Sequence, residues 1–508
     1  MKILNAAQIK EADRCSILLQ KISSWDLMER ASSAFVNALL PYVDKKNSVD
    51  VYCGKGNNGG DGLAIARMLA EIGFSIRVII VEHTPNASQD FLINYDKIQV
   101  LGESVKIIHV EKNADLEHLQ ISNHPVCIDA ILGSGVNKPA EGIIKEVIHH
   151  INRHYTKIFS VDVPSGLFLD KPNPENSAVV KADYTFTFQM PKLSFLFPEN
   201  ADYVGEWDIL DIGLSDECIE KQPTDFYAIE DASIKSIYVP RKKTGLKWNF
   251  GHCLIIAGSK NMRGAAVLCT GAALKSGCGL ASIHSVEKVV SSVIQKYPEC
   301  ILSIDSNEDV CSELPDISKY DAIAFGSGMG CNEKTYSVLV KLLKEIKKQK
   351  LVIDADGLNV IARYNDCIEL LQNKQIILTP HIKEFDRIFG SSKNHFERIH
   401  KAIDIAKKLN TVIVLKSAYT AIVLPSGKVY FNIVANSGLA KGGSGDVLTG
   451  IMVSLCAKNY SIENAAILGV YIHLVAGLFA KIELHPESML PSDVINHISD
   501  AFDYIENG

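Results

Sequence analysis

"VYCGKGNNGGDG", residues 51–62, passes from a β-branched apolar run through closely set glycines into a helical pattern. Gly54, Gly56 and Gly59 fit G-x-G-x-x-G, the turn that lets a backbone approach a pyrophosphate at the edge of a parallel sheet. Glu82, which closes the next apolar run "IRVIIVE" (76–82), stands where such a sheet puts a ribose-binding acid. The residues between the glycines do not suit that use. Asn57, Asn58 and Asp61 crowd one turn, and an acid at the positive end of a helix repels phosphate. The stretch predicts a strand–turn–helix unit of an α/β fold. Its chemistry points to a hydroxyl-rich ligand or a hard cation rather than to the phosphate grip of a dehydrogenase.

Outward from this unit, short β-branched runs alternate with amphipathic segments, the pattern of parallel sheets covered by helices. In the first half "VDVYCG", "IRVIIVE", "PVCIDAIL", "KIFSVDVPSG" and "YTFTFQ" read as strands. "DGLAIARMLAEIG" reads as a helix with Leu63, Ala66, Leu69 and Ala70 on one face. The rhythm lapses into acids and polar residues over "DIGLSDECIEKQPTDFYAIE", which predicts a boundary near residues 215–226 and domains spanning 1–218 and 224–508. It resumes with "HCLIIAGS", "DAIAFGSGMG", "LVIDADGLN", "QIILTPH" and "TVIVLKSA". Polar residues that end such runs face the ligand crevice, so they are the natural site candidates. "KLLKEIKKQK" (341–350) reads as a solvated helix face.

A chain of 508 residues has room for two or three domains with full cores. Its net charge of −7 argues against a nucleic-acid-binding surface. The 12 cysteines form no C-x-x-C pair, and several (Cys127, Cys253, Cys269) lie in apolar runs, so they are expected reduced and buried in a cytoplasmic protein. The opening "MKILNAAQIKEADR" is too charged for a secretory signal. "AAILGVYIHLVAGLFA" (465–480) is interrupted by His473 and shorter than the roughly 18–20 residues of a membrane span, so it is expected as a buried helix of a soluble protein.

Two constellations carry chemistry. In the first half Asn57, Asn58 and Asp61, then Asp129 in "CIDAILGSGV", then Asp162 and Ser165 in "SVDVPSG", supply oxygen donors without histidine or thiol. Such donors suit an alkali or alkaline-earth cation, although each acid taken singly also suits a helix or turn cap. "LGSGVNKP" (132–139) adds a turn whose N–H groups suit phosphate, and Asp162, ahead of Pro164, is placed to handle a proton. In the second half "NSGLAKGGSGDVLTG" (436–450) is a glycine-rich loop that runs into a helix but is not a Walker A loop. Asp446 there reads as a base that takes a proton from a hydroxyl while the loop holds a transferred phosphoryl group. "VLKSAYT" (414–420) places Lys416 and Thr420 past a strand, and "LTPHIKEF" (378–385) places His381 likewise. Asp354 and Asp356 in "VIDADGLN" suit either phosphate-bound metal or a helix cap.

Together these motifs resemble a known pair of families. Residues 1 to about 215, through "GNNGGDG", "DAILGSGV" and "VDVPSGL", resemble the NAD(P)H-hydrate epimerases. The chain from about 226 onward, through "AGSKNMRGAA", "VIDADGLN", "ILTPH" and "AKGGSGDVLTG", resembles the NAD(P)H-hydrate dehydratases. The resemblance implies a Rossmann-like three-layer α/β domain followed by a ribokinase-like α/β domain. For the epimerase half it implies substrate contacts at Asn57, Asn58, Gly59, Gly60 and Asp61, at Gly133, Ser134, Gly135, Val136, Asn137, Lys138 and Pro139, and at the catalytic Asp162. A potassium ion (K+) on Asn58, Asp129 and Ser165 is implied as well. For the dehydratase half it implies hydrate binding at Ala265, Gly328, His381 and the catalytic Asp446, and nucleotide binding at Lys416, Ser417, Ala418, Tyr419, Thr420 and Gly445. Ser417, Ile382-Lys383 and Ser327 stand where the family usually has glycine or proline-containing turns.

The implied activity is repair of NADHX and NADPHX, the 6-hydroxy hydrates of reduced nicotinamide cofactors. The first domain epimerises the R and S forms, and the second dehydrates the S form at the expense of ADP or ATP with Mg2+. Expected partners are these substrates and further copies of the chain in a homo-oligomer, with neither nucleic acid nor membrane. The alternative is a ribokinase-like small-molecule kinase fused to a nucleotide-binding regulatory or scaffold domain.

Overall fold

A computed structural model describes residues 1–119 and 125–508, which divide into two compact units, 1–226 and 227–508. The first is built on seven strands: β1 (Ser48–Cys53), β2 (Ser75–Val81), β3 (Val105–Val110), β4 (Pro125–Ala130), β5 (Ile158–Val161), β6 (Tyr184–Phe188) and β7 (Glu206–Leu210). They lie in the order β3-β2-β1-β4-β5-β6-β7, with every neighbouring pair parallel. The order reverses between β1 and β4, which opens a crevice at their carboxyl ends. Both faces of the sheet are covered. Val49, Val51 and Cys53 enter one hydrophobic cluster and Tyr52 enters the other.

The opening stretch folds as a helix earlier than its pattern suggests. Asn57–Glu71 is one helix capped by Gly56, so Asn57, Asn58 and Asp61 belong to its first turns and not to a loop. The helix presses on the sheet. A Cβ on Gly59 would come within 1.7 Å of the Gly54 carbonyl oxygen, and one on Gly62 within 2.6 Å of Ala130 Cβ. These glycines are required by close approach.

The second unit contains a ten-stranded sheet: β8 (Phe226–Ala228), β9 (His252–Ile256), β10 (Leu280–Ser285), β11 (Ile301–Ile304), β12 (Ala322–Phe325), β13 (Lys350–Ile353), β14 (Ile376–Leu378), β15 (Val412–Leu415), β16 (Ala421–Val423) and β17 (Val429–Phe431). The order is β11-β10-β9-β12-β13-β14-β15-β16-β17-β8. It is parallel from β11 to β15, and β16 and β17 are added antiparallel. Cys253 and Ile255 point into one core, Leu254 and Ile256 into the other. The apolar helix spans Ile462–Glu483, longer than its uninterrupted run, and by length and composition it is sufficient to cross a membrane. It is largely buried against Ser444–Ala457, where Ile451 and Ile472 are fully enclosed, each worth about 1.5–3 kcal/mol by removal from water.

One expectation is corrected. Cys15 and Cys218 form a disulfide across 203 residues, so the cysteines are not all reduced. The helix Ala6–Gln20 lies beside the short helix Asp216–Glu220, and nothing local in the sequence pairs two cysteines so far apart. Of the ten others, eight are buried, as expected of small apolar side chains.

Candidate functional site

The crevice between β1 and β4 holds a cavity of about 640 Å³. Asn57, Asn58 and Asp61 reach it from the helix after β1, residues 133–139 from the turn after β4, and Asp162 from the end of β5. Gly59 and Gly60 lie on the helix's packed side. A Cβ on Gly60 would touch Met28 and the backbone of Phe91.

Two groups on the cavity wall went unnoticed in the sequence: Asp13 and Lys192. Asp162 takes up a left-handed backbone conformation (φ 62°), and its carboxylate is 2.9 Å from Lys192 Nζ. It also accepts from Thr187 Oγ1 and the Phe188 amide, each at 3.1 Å. Desolvation raises Asp61 well above the ordinary carboxylate range, and Asp162, Asp13 and Asp90 push it the same way. Burial, reinforced by Asp162 and opposed by Lys192, brings Asp13 up to about 6. Burial and the neighbouring Asp162 thus disfavour the ionised forms of both Asp13 and Asp61. Two carboxyl groups shifted this way on one cavity wall are candidates for proton handling. Asp13 lies in "KEADR" on an amphipathic helix and Lys192 in an irregular loop, so only the fold shows that they belong here.

Behind this wall Asp129 is fully buried at the end of β4. Ser160 Oγ and the Ser165 amide each donate to it at 2.8 Å, and the Ser165 hydroxyl donates to its other oxygen. Burial raises its pKa against these donors. Ser165 Oγ also accepts from the Leu132 amide at 2.8 Å, and Asn58 Nδ2 donates to the Leu132 carbonyl at 3.0 Å. Asn58 and Ser165 therefore meet at Leu132, and Ser165 links that point to Asp129, which brings together an amide, a carboxylate, a hydroxyl and a carbonyl oxygen. This donor set fits a hard cation.

In the second unit the glycine-rich loop leads into the helix Ser444–Ala457, capped by Gly443 at φ 100°. Asp446 is in its first turn. The helix dipole alone would hold that carboxyl ionised, yet burial outweighs it and brings the pKa up to about 6, with Asp354 adding to the rise and Lys416 opposing it. Beside it Lys416 Nζ pairs with Asp354 Oδ1 at 2.7 Å, and Thr449 Oγ1 donates to Oδ2 at 2.9 Å. Burial would raise Asp354, but Lys416 and the hydroxyls of Thr379 and Thr449 overcome it and the carboxyl stays below its ordinary value. Gly445 lies against the pair, since a Cβ there would sit 3.3 Å from Lys416 Nζ and 3.4 Å from Asp354 Oδ2. Asp356 accepts from the Gly330 amide at 2.7 Å.

Residues 416–420 form the connection between β15 and β16, closed by Ser417 Oγ donating to the Tyr419 carbonyl at 2.8 Å and Thr420 Oγ1 to the Ser417 carbonyl at 3.1 Å. His381 caps the helix Ile382–Phe389: its Nδ1 accepts from the Glu384 amide at 3.2 Å, and it bridges to Lys416 through the backbone. A Cβ on Gly328 (φ 66°) would sit 2.9 Å from Ala265 Cβ, so these two residues adjoin. The unusual residues need no strained backbone. Positive φ falls on Gly326 and Gly328 and not on Ser327 or Ser417, and Ile382-Lys383 simply begin a helix.

A family model for NAD(P)H-hydrate dehydratase matches residues 253–500, and one for the YjeF-related protein N-terminus matches residues 24–194. The bifunctional NAD(P)H-hydrate repair enzyme of Thermofilum pendens is 30% identical over 99% of this chain and 96% of its own length. That of Coxiella burnetii is 31% identical over 97% of each. A ribokinase-like protein of Enterococcus faecalis, 23% identical, superposes with a TM-score of 0.50 over 56% of this chain and 98% of its own, which shows the fold alone.

Proposed function

The chain belongs to the bifunctional NAD(P)H-hydrate repair family, and from that premise we propose that each unit carries one of two successive reactions. The first unit interconverts the R and S hydrates of NADH and NADPH, which requires a bond at C6 to open and re-form. Asp162 takes the C6 hydroxyl proton as the C6–N1 bond opens to leave an aldehyde, Asp13 or Asp61 gives N1 its proton, and the same steps reverse on the other face of C6. The oxygens of Asn58, Asp129 and Ser165 would hold a potassium ion, which would supply positive charge beside the bound hydrate.

The second unit accepts the S hydrate and ADP or ATP, the nucleotide arriving with its Mg2+. Asp446 takes the C6 hydroxyl proton as that oxygen bonds to the terminal phosphorus and the bond to the departing nucleotide breaks. The amides around Gly442–Gly445 hold the phosphoryl oxygens, and Lys416, fixed by Asp354, faces the nucleotide. Phosphate then leaves C6 while C5 loses a proton, which restores NAD(P)H. The observation that carries the reading is the Asp446 carboxyl, brought near neutral pKa at the mouth of a glycine-rich helix start, beside a lysine–aspartate pair.

Purified S-NADHX with ADP or ATP should regain absorbance at 340 nm when the protein is added. The R form should do so only through the first unit, and more slowly when potassium is replaced by a bulky organic cation. No nucleotide-dependent recovery from S-NADHX would defeat the reading.

A further inference from the structure

The first unit holds a second cavity, of about 460 Å³, whose lining includes Lys55, Glu82, Phe91, Leu92, Tyr95 and His109. It opens at the carboxyl ends of β1, β2 and β3. Lys55 Nζ contacts Glu82 Oε2 at 2.8 Å, His109 Nδ1 lies 2.7 Å from Glu82 Oε1, and Tyr95 Oη is 3.3 Å from His109 Nε2. Burial would raise Glu82, but Lys55 and His109 hold it below its ordinary value, so the carboxylate stays charged. Leu92, on the lip, is 51% exposed. The two cavities adjoin: Gly56 and His83 line the first, while their chain neighbours Lys55 and Glu82 line the second.

The hydrate is a dinucleotide, and the proton-handling acids of the first cavity account for only its reacting end. We propose that the adenosine half lies in this second cavity, its base against Phe91 and Leu92 and its ribose diol donating to Glu82. This rests on the epimerase reading above. An ionised carboxylate only accepts hydrogen bonds, so it can take both protons of a cis diol. A 2′-phosphate at the same place meets a like charge. The cavity therefore favours NADHX over NADPHX, with Lys55 and His109 keeping Glu82 aimed at the ribose.

The test measures epimerisation kcat/KM by the full chain for NADHX, for NADPHX and for the hydrate of reduced nicotinamide mononucleotide, which lacks adenosine. The readout is each dinucleotide's value divided by the mononucleotide's. Glu82→Gln should lower the NADHX ratio by about ten- to hundredfold, the loss of hydrogen bonds to a charged group, and narrow the gap to NADPHX. Leu92→Trp, a change on an exposed lip, should raise KM for both dinucleotides and lower both ratios. An active wild-type chain whose ratios are unmoved by both substitutions overturns the cavity assignment while leaving the epimerase reading standing. A wild-type chain that epimerises none of the three overturns that reading and this one with it.

Discussion

The helix starts at Gly54–Asp61 and at Gly442–Asp446 share a local recipe: clustered glycines, then an acid in the first two turns. Burial raises both acids above the ordinary carboxylate range. Their neighbours differ. Asp61 is pushed further by Asp162 and Asp13, with Lys192 beside that set, whereas Asp446 has the Lys416–Asp354 pair next to it. The first arrangement suits the proton transfers of the proposed epimerisation. The second presents one base beside a cation that suits a phosphoryl group. Identical local chemistry acquires its role from side chains delivered by distant segments.

The sharpest break in this comparison is Asp446→Asn. It should slow nucleotide-dependent repair of S-NADHX by about 10²–10⁴ while epimerisation continues. The same substitution should stabilise the protein. A folded pKa raised from 3.8 to about 6 means that ionised Asp446 costs stability at every pH above that range, and the cost fades as pH falls toward 4. At pH 7.5 the gain should be on the order of 1–3 kcal/mol, read as a higher midpoint in urea. A mutant that loses activity and stability together would indicate misfolding.

Asp13→Asn tests the other side. If Asp13 belongs to the proton-exchanging set, epimerisation should fall by roughly 10² with dehydration of S-NADHX untouched. Epimerase rates within twofold of wild type would remove Asp13 from the site.

The pH profiles should differ as well. Dehydratase kcat/KM should drop about tenfold per unit as pH falls below about 6, because Asp446 must be ionised to accept the proton. The acid limb should vanish in Asp446→Asn. A profile flat from pH 5 to 8 would contradict the assigned base.

The smallest effect is expected at Ser417→Gly. Ser417 adopts no left-handed conformation, so the loop needs no glycine there, and KM for ADP or ATP should change by less than about threefold. A tenfold gain in affinity would show that the serine side chain obstructs the nucleotide.

Strands buried on both faces were legible because their composition is nearly uniform: "VDVYCG" and "HCLIIAGS" became β1 and β9. β3 "VKIIHV" and β10 "LASIHS" were missed because polar residues interrupt them. In β10, Ser282 and His284 are buried but satisfied, by His252 and Ser303. Exposed β11 at the sheet edge and the three-residue β8, β16 and β17 carry too little pattern to stand out. Asn57, Asp129, Asp162, Lys416 and Asp446 could be found because strand ends and glycine-rich turns mark themselves by composition.

The sequence by itself determined the alternation of strands and helices, the two glycine-rich turns and the identity of the acids that follow them. These depend on residues close in the chain. Tertiary structure alone decided that Asp13 and Lys192 join Asp162, that Cys15 reaches Cys218, and that Glu82 faces its own cavity between Lys55 and His109. It also decided the protonation of Asp446, since a carboxyl's pKa follows the water and charge around it, and folding sets both.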